Sequence, residues 1–305
     1  MIYTVTFNPA IDYVVKLDSL QLGAVNRNCE EEYQFGGKGI NVSNVLKNLG
    51  LDTVALGFLA GFTGKGLADG LSQMGLQTDF IFVKDGMTRV NVKIKADEET
   101  EINGIGPQIC EAEMVQLYDK LDRLQKGDTL VLCGSIPSCL PSDTYERILA
   151  RLDGRGIRIA VDATGKLLQN VLKYHPFLIK PNNHELGEIF GKTLHSTEEI
   201  AECARILQAQ GAQNVLISMA GDGAMLLDDS GVLHRSPCPK GKVVNSVGAG
   251  DSMVAGFLAG YLKTQDYAYA LRLGIATGSA TAFSLGLAQK EQIMALLSQM
   301  DQNKM

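Results

Sequence analysis

The sequence predicts an α/β fold in which helices cover both faces of a mostly parallel central sheet. Short apolar stretches alternate with segments of helical periodicity along most of the chain, as in parallel sheets whose strands are buried on both faces. Two glycine-rich turns lead directly into helical patterns, and two segments of alternating polar residues interrupt the rhythm. These observations favour one main domain with a small appendage.

Strands are predicted where apolar residues run on, and helices where they recur every three or four positions. The first helix, for example, places Val42, Val45, Leu46 and Leu49 on one face. After Gly248 the chain is expected to be almost wholly helical. In chain order the predicted elements are strand 2–7, helix 38–49, strand 53–58, helix 111–125, strand 129–133, helix 142–152, strands 157–161, 177–179 and 215–218, and helix 269–283.

The turn Gly248-Ala249-Gly250-Asp251 combines the features of an anion-binding helix N-terminus. An apolar helical pattern follows at once, so the first backbone N–H groups lack internal partners and lie at the positive end of the helix dipole. Small residues let an anion approach, and we expect Asp251 to stay ionised as a general base. Phosphoryl transfer needs this pairing of donors and base. An ordinary glycine turn is the alternative.

A second glycine-rich turn, residues 34–41, precedes the first helix. Its backbone can approach a ligand closely, and Lys38 and Asn41 place a cation and an amide beside it. A solvated lysine and a tolerated polar asparagine are the simpler alternatives.

Residues 12–35 and 87–105 alternate polar and apolar positions, with Arg89, Asn91 and Lys93 as the clearest run. This alternation predicts half-exposed antiparallel strands.

Composition limits the class of protein. The chain has 305 residues, 45% of them hydrophobic, without a Pro/Ser-rich linker or a block of like charges. A net charge of −6 without a basic stripe argues against a nucleic-acid partner, but anionic substrates need only a local basic pocket. The N-terminus lacks a signal-peptide pattern, no apolar run approaches bilayer-spanning length, and the six cysteines are scattered. We expect a reduced, cytoplasmic protein without a membrane partner or structural zinc.

Six different short motifs follow one another along the chain, each present once: Asn8-Pro9-Ala10-Ile11-Asp12, Gly36-Gly37-Lys38-Gly39-Ile40-Asn41, Thr88-Arg89-Val90-Asn91, Gly134-Ser135-Ile136-Pro137, Lys180-Pro181-Asn182-Asn183-His184-Glu185, and the turn at 248–251. This order resembles the ribokinase-like (PfkB) carbohydrate kinases, and within them the branch that acts on phosphorylated sugars. The resemblance covers essentially the whole chain. The run that starts at Thr88 is most similar to kinases of fructose 1-phosphate.

The resemblance implies a ribokinase-like three-layer α/β/α fold with a small β-sheet lid over the sugar site. Residues 1–11, 36–86 and 106–305 would form the kinase core, and residues 12–35 and 87–105 the lid. In related kinases the lid often mediates dimer formation, so a homodimer through the lid is expected.

The predicted sugar site combines hydroxyl-binding groups with cations. Asp12 follows the carboxyl end of the first strand, the end at which α/β sheets bind ligands. The resemblance implies that its carboxylate accepts hydrogen bonds from sugar hydroxyls. Cations from separate segments could clamp one phosphate, and Arg27, which is the hardest to place, could act across a dimer. A solvated surface position is the alternative for each lid cation. The substrate-binding candidates are Asp12, Arg27, Gly37, Lys38, Asn41, Arg89, Asn91 and Ser135.

The predicted nucleotide site uses the later part of the chain. The resemblance places the Asn-x-x-Glu pattern of Asn182 and Glu185 near Mg²⁺ and the ATP phosphates, partly through water, and Mg²⁺ keeps several waters in proteins. The same spacing also fits a helix capping box, and both roles can hold together. The cofactor candidates are Lys180, Asn182, Ser218, Gly221, Gly223 and Ser279 for ATP and Glu185 for Mg²⁺.

The expected activity is ATP-dependent phosphorylation of D-fructose 1-phosphate at its 6-hydroxyl. Tagatose-6-phosphate kinase is the nearest alternative enzyme. A sugar-phosphate-binding protein without catalysis is an alternative of another class, against which the base Asp251 argues. The chain lacks the Gly-x-x-x-x-Gly-Lys-Ser/Thr pattern of P-loop kinases.

Overall fold

The computed structural model describes residues 1–302, which form a ten-stranded central sheet, a separate four-stranded sheet and flanking helices. The strands are β1 (Ile2–Thr6), β2 (Ala10–Lys16), β3 (Glu30–Gly36), β4 (Thr53–Ala60), β5 (Gln77–Thr78), β6 (Ile81–Val83), β7 (Arg89–Lys95), β8 (Glu99–Ile102), β9 (Thr129–Cys133), β10 (Arg158–Asp162), β11 (Leu178–Ile179), β12 (Asn214–Ser218), β13 (Ala224–Leu227) and β14 (Leu233–Ser236).

The α-helices alternate with these strands along most of the chain. They are α1 (Lys38–Asn48), α2 (Gly61–Gln73), α3 (Glu111–Leu121), α4 (Thr144–Leu152), α5 (Gly165–Val171), α6 (Asn183–Phe190), α7 (Thr197–Ala209), α8 (Ala249–Thr264), α9 (Tyr267–Ala282) and α10 (Lys290–Gln302). Short 3₁₀ turns lie at Leu172–Tyr174 and Ala220–Asp222.

The central sheet is mostly parallel, as predicted. Its strand order is β14-β13-β12-β11-β10-β9-β1-β4-β5, with β6 also paired to β4. Within this sheet, every neighbouring pair in the order β12-β11-β10-β9-β1-β4-β5 is parallel, and so is the pair of β4 and β6. Strands β13 and β14 form an antiparallel edge. Because parallel strands point the same way, the loops that follow β1, β9, β10, β11 and β12 gather at one edge, where α/β sheets bind ligands.

Two apolar clusters lie on opposite faces of this sheet and make the molecule three-layered. One face packs against α3, α4, α5, α6 and α7, and the other against α1, α8, α9 and α10. The predicted face of α1 is confirmed, since Val42, Val45 and Leu46 are fully buried. Within residues 1–302, no helix is long and apolar enough to cross a membrane.

Helix α3 ends four residues before its predicted end. The chain turns there, because Leu124 donates its N–H to the carbonyl of Leu121, and the carboxylate of Asp128 then accepts the N–H of Gln125. The apolar pattern continues through this turn because Leu124 is buried, which is why the sequence suggested a longer helix.

The four-stranded sheet has the order β3-β2-β7-β8 and is assembled from two hairpins. Each hairpin is antiparallel, as predicted, but β2 and β7 pair in parallel and correct the expectation of an antiparallel sheet. Both strands leave the same edge of the central sheet, β2 after β1 and β7 after β6, so they run side by side in one direction.

The two faces of this small sheet differ in chemistry. Register places Asp12 beside Asn91 and Gln34 on one face, which is polar. We call the opposite face the apolar lid face, and its residues, in register with one another and half-buried or exposed, are Ile11, Tyr13, Val15, Tyr33, Phe35, Val90, Val92, Ile94 and Ile102.

Candidate active site

Helix α8 begins at Ala249, directly in the predicted glycine turn. Gly248 precedes it with φ 79°, a left-handed conformation that favours glycine, and a Cβ there would lie 2.9 Å from Leu287 Cδ2. The N–H of Ala249 donates to the carbonyl of Ser246 at 3.2 Å, and Gly250, the next residue, lines the neighbouring cavity. Asp251 lies in this turn and is only 5% exposed.

Asn41 and Asp251 meet across the site. Asn41 Nδ2 donates to Asp251 Oδ2 at 2.8 Å, which joins the first turn of α1 to the first turn of α8. The two predicted glycine turns thus form one site.

The charge state of Asp251 differs from the expectation of a permanently ionised carboxylate. Burial, together with the negative charge of Asp162, raises the pKa of Asp251 to about 7, although the Asn41 hydrogen bond and two lysines act in the other direction. A pKa near the working pH suits a general base, because a substantial fraction of the group is deprotonated and that form readily accepts a proton. The dipole argument from the sequence omitted burial, which is the larger effect here.

Asp162 is a site residue that the sequence analysis missed. It ends β10, is buried, and holds two lysines: Lys38 Nζ lies 3.5 Å from Oδ2 and Lys180 Nζ lies 3.3 Å from Oδ1. Its position at the carboxyl end of a parallel strand is the same signal that singled out Asp12. The predicted strand 157–161 stopped one residue before it, and no glycine-rich turn directly precedes it, so the sequence analysis did not single it out.

Lys38 lies close to the carboxylates of both Asp162 and Asp251. Burial disfavours its charge, but Asp162 and Asp251 outweigh that effect and raise the pKa of Lys38 above its ordinary value. The predicted clamp of Lys38 with Arg27 and Arg89 stays a prediction.

Asp12 and Asn91 form the polar centre of the small sheet. Asn91 Nδ2 donates to Asp12 Oδ1 at 2.7 Å, and the N–H of Gly104 donates to Asn91 Oδ1 at 3.1 Å. Gly36 lies against this pair, because a Cβ there would lie 2.3 Å from Asp12 Oδ2 and would force that carboxylate to move. Both predicted hydroxyl-binding groups are therefore fixed side by side.

Arg89 lies between the small sheet and the core. Its Nε donates to the carbonyl of Asn8 at 3.1 Å, and burial lowers the pKa of Arg89 despite the charge of Asp12. Arg27 is exposed in the connection between β2 and β3, and Ser135 is exposed in the loop after β9, near the side chain of Lys38 through Gly134. Gly37, with φ 134°, precedes α1 and leaves no room for a Cβ beside Thr6.

A cavity of about 840 Å³ adjoins the start of α8. The loop that follows β12 forms one wall and is tied to the neighbouring loop, because the N–H of Ser218 donates to the carbonyl of Pro181. Five of the predicted nucleotide-site residues line this cavity, together with Ala249 and Gly250 of the helix turn: Asn182, Ser218, Gly221, Gly223 and Ser279. The sequence analysis did not identify Cys238, Lys240 and Phe283, which also line it.

The Asn-x-x-Glu pattern forms the predicted capping box. Asn182 Oδ1 accepts the N–H groups of His184 and Glu185, and Glu185 Oε2 accepts the N–H of Asn182 at 2.8 Å. Helix α6 is thereby fixed at the edge of the cavity. The negative charge of the half-buried Glu185 contributes to raising the pKa of Lys38. Lys180 lies deeper, with Nζ next to Gly250.

Comparisons with known proteins agree over almost the full length. A family model described as pfkB family carbohydrate kinase matches residues 5–293. The 1-phosphofructokinase of Bacillus subtilis is 48% identical over 297 residues, covering 97% of each protein. The D-tagatose-1-phosphate kinase of Bacillus licheniformis is 40% identical over 300 residues, covering 98% of each. A crystal structure of a candidate phosphofructokinase from Staphylococcus aureus is 42% identical, with a TM-score of 0.89, and covers 98% of this chain and 97% of that one.

Proposed function

The chain belongs to the pfkB family of carbohydrate kinases, and from this membership we propose that it transfers the γ-phosphoryl group of ATP to the 6-hydroxyl of D-fructose 1-phosphate. The protein is a phosphotransferase that acts on a sugar hydroxyl. The product of the proposed reaction is fructose 1,6-bisphosphate. The identity to a 1-phosphofructokinase supports the choice of sugar.

One observation carries the proposal: a buried carboxylate with a pKa near 7 lies in the first turn of a helix whose N-terminus adjoins a nucleotide-sized cavity. The N–H groups of Gly250 and Asp251 would stabilise charge on the transferring group, whereas the N–H of Ala249 donates to the carbonyl of Ser246. Asp251 would accept the proton of the 6-hydroxyl as the new bond forms. Asn41 orients the carboxylate through its hydrogen bond.

The sugar site lies on the polar side of the small sheet. Asp12 and Asn91 would bind sugar hydroxyls, and Arg89 and Ser135 would bind the phosphate already on the substrate. Arg27, exposed on the neighbouring connection, would reach that phosphate within its own subunit or in a partner's site. The four strands would act as a lid over the sugar, with residues 12–35 and 87–105 moving against the rest of the chain.

Mg²⁺ is part of the proposal, and the residues fit it. Among residues 1–302, no three carboxylate, histidine or cysteine side chains cluster into a protein-made metal site. Mg²⁺ in kinases is held mainly by phosphate oxygens and waters with one or two carboxylates, so Glu185 would hold a water of the Mg²⁺–ATP complex. The ion would offset negative charge on the phosphates.

The substrate is tested by measuring ADP release with four phosphosugars side by side: fructose 1-phosphate, fructose 6-phosphate, tagatose 6-phosphate and tagatose 1-phosphate. The two arms of a fructofuranose ring are nearly related by a two-fold axis, so the same cations can serve a 1- or a 6-phosphate. Hydroxyls that meet Asp12, Asn41 and Asn91 must discriminate, and an unpaired hydroxyl in a desolvated site is costly.

We expect kcat/KM for fructose 1-phosphate to exceed that for tagatose 6-phosphate by at least about tenfold, or ~1.4 kcal/mol at the transition state. The reverse order would assign the protein to tagatose 6-phosphate. A preference for tagatose 1-phosphate would follow the Bacillus licheniformis relative instead. Binding of phosphosugars without ADP release would mark a non-catalytic binding protein.

The apolar lid face supports a homodimer. Tyr33 and Ile102 on this face are 66% and 60% exposed, although the strand register groups them with seven other apolar or aromatic residues. A second copy of the same face would cover them. Sedimentation should give a dimer for the wild type and for Val115→Glu, an exposed apolar position on α3, and a monomer for Ile102→Glu. A wild-type monomer at micromolar concentration would exclude this assembly.

A further inference from the structure

Asp162 holds two ammonium groups that come from distant parts of the chain. Its carboxylate is 3% exposed, and its two oxygens lie 3.5 Å from Lys38 Nζ and 3.3 Å from Lys180 Nζ. Lys180 is 6% exposed, so this second pair is buried. A buried ion pair is weak evidence for stability, because desolvation offsets most of its attraction, and its purpose is often to fix a geometry.

The two lysines lie on the side of the site where the phosphoryl group is transferred. Lys180 Nζ is 3.4 Å from the position that a Cβ on Gly250 would take, next to the helix turn. Lys38 lies one turn before Asn41, the residue that donates to Asp251. Arg89, in contrast, is bound to the carbonyl of Asn8, and the charge that acts on it is that of Asp12.

We propose that Asp162 is a positioning residue that holds the ammonium groups of Lys38 and Lys180 against the phosphoryl group during its transfer. In this arrangement Lys38 serves the transferring group, and the phosphate already on the sugar is left to Arg89 and Ser135. The inference rests on the proposed kinase activity, and it assigns a task to a residue outside the sequence-predicted site.

The balance of the step shows what the cations contribute. The bond between the γ-phosphorus and the oxygen that bridges to the β-phosphate breaks, and its electron pair leaves with ADP. The sugar oxygen bonds to the phosphorus, and its proton moves to Asp251. Negative charge on the bridging and equatorial oxygens is offset by ammonium groups held at fixed positions. Freely rotating lysine side chains would have to be ordered during the reaction.

The same cluster is electrically balanced before substrates bind. Asp162 and ionised Asp251 carry two negative charges, and Lys38 and Lys180 carry two positive ones. Removing Asp162 would leave two ammonium groups without their partner and would let them turn towards Asp251.

The first experiment compares kcat and KM for Asp162→Asn, Lys38→Gln and the control Asp79→Asn. Asp79 forms an ion pair with Lys120 at 2.5 Å outside the site, so the control removes the same charge from a surface pair. We expect kcat to fall about 100-fold or more in Asp162→Asn and at least about tenfold in Lys38→Gln, with KM for the phosphosugar within about threefold of wild type. The control should keep wild-type values.

A KM effect would overturn the inference. If Lys38→Gln raises KM for the phosphosugar tenfold or more and leaves kcat unchanged, Lys38 binds the sugar phosphate. If Asp162→Asn is poorly folded in thermal unfolding, Lys38→Gln carries the test, because Lys38 is partly exposed and its loss leaves the buried pair intact.

The pH profile separates positioning from a structural role. Asp251 is faced by Asn41 and Lys38 from α1, Asp162 from β10, Cys133 from β9 and Lys180 after β11. Because Asp162 is a nearby negative charge, its loss should lower the pKa of Asp251 and move the acid limb of kcat to lower pH. An unmoved limb with wild-type kcat would overturn the proposal. All assays use the phosphosugar that the wild type prefers, so a different sugar overturns the proposed substrate alone. A wild type without transfer to any phosphosugar overturns both.

Discussion

At the residue scale, the buried carboxylate of Asp251 accepts a hydrogen bond from a neutral amide, while the nearest lysines are paired with Asp162. This separation leaves Asp251 able to take up a proton, because a direct cation partner would hold it ionised. Asp162 and Asp251 thus have the same side chain in different surroundings.

The first prediction concerns Asp251→Asn, which keeps the shape of the side chain and one acceptor oxygen for the Asn41 hydrogen bond but cannot accept the proton. We expect kcat to fall by about two to four orders of magnitude, the usual contribution of a positioned general base. ATP binding, measured by calorimetry, should stay close to wild type because the cavity is formed by other residues. A kcat within tenfold of wild type would contradict the assignment.

The second prediction concerns pH. The base must be deprotonated to act, and burial raises the pKa of Asp251 to about 7, so kcat should increase as pH rises from about 6 to 8 and then level off. An ordinary exposed aspartate would give a rate that is flat over this range. The profile is measured at saturating substrates, with the coupling enzymes checked at each pH. A flat profile would show that Asp251 is fully ionised in the enzyme–substrate complex.

The third prediction concerns Arg89→Ala. Arg89 is partly buried, and loss of a desolvated charge-assisted contact typically costs about 2–5 kcal/mol, so KM for the phosphosugar should rise far more than KM for ATP. Lys95→Ala is the matched control, since Lys95 ends the same strand and is exposed. An equal effect of the two substitutions would place Arg89 outside the sugar pocket.

Single residues were predictable where backbone geometry left a sign in the sequence. Asp251 follows a glycine directly, Asn41 lies two residues after one, and Asp12 follows a proline turn after the first strand. The pairing of Lys38 with Asp162 left no such sign, because it spans 124 residues and depends on which strands become neighbours. The pKa of Asp251 likewise depends on burial by the folded chain.

At the scale of elements, helices α6 and α7 begin with similar caps but in different surroundings. Asn182 caps α6 at the cavity, and Ser196 caps α7, where its Oγ accepts the N–H of Glu199 at 3.2 Å. Each cap fixes the first turn of its helix. Only the first also positions a wall of the proposed nucleotide site.

The fourth prediction uses this pair. Asn182→Ala and Ser196→Ala should each lower the free energy of unfolding by about 1 kcal/mol, the usual loss for an N-cap. Asn182→Ala should also raise KM for ATP, whereas Ser196→Ala should leave it unchanged. Denaturant unfolding and ATP titration measure the two effects separately. An unchanged KM in Asn182→Ala would reduce the motif to a helix cap.

Elements with a single clear period were predictable, and their pairing was not. The strand 129–133 and the amphipathic face of α1 match the prediction because their apolar residues decide both type and burial. The parallel pairing of β2 with β7 was missed, since polar alternation marks a half-exposed strand without giving its direction.

At the scale of the whole molecule, the alternation of short apolar strands with helical segments predicted a parallel sheet covered by helices. The order of the strands in that sheet had to come from the structure. For the cysteines, too, the sequence alone left open which residues come together. All six are free in the structure: two are buried in a strand and a helix, and the other four lie in separate connections. Their spacing in the sequence excluded local Cys-x-x-Cys motifs, but it could not exclude a disulfide between two cysteines far apart in the chain.

The fifth prediction is that thiol titration of the unreduced protein, after denaturation, finds nearly all six cysteines free. This outcome supports a reducing compartment such as the cytoplasm, where disulfides are rare. Protein reduced beforehand serves as the control. Two or more stable disulfides would contradict it.

The hydrogen bond from Asn41 to Asp251 joins residues 210 positions apart, and Lys38 and Asp162 are 124 apart. Contacts of such long range form late, since the loops between them must be ordered before the contacts stabilise anything. The chain can therefore build most of its helices while the residues of the proposed site are still separated. In a refolding experiment the helical signal should return first, and kinase activity should follow only with the slowest phase.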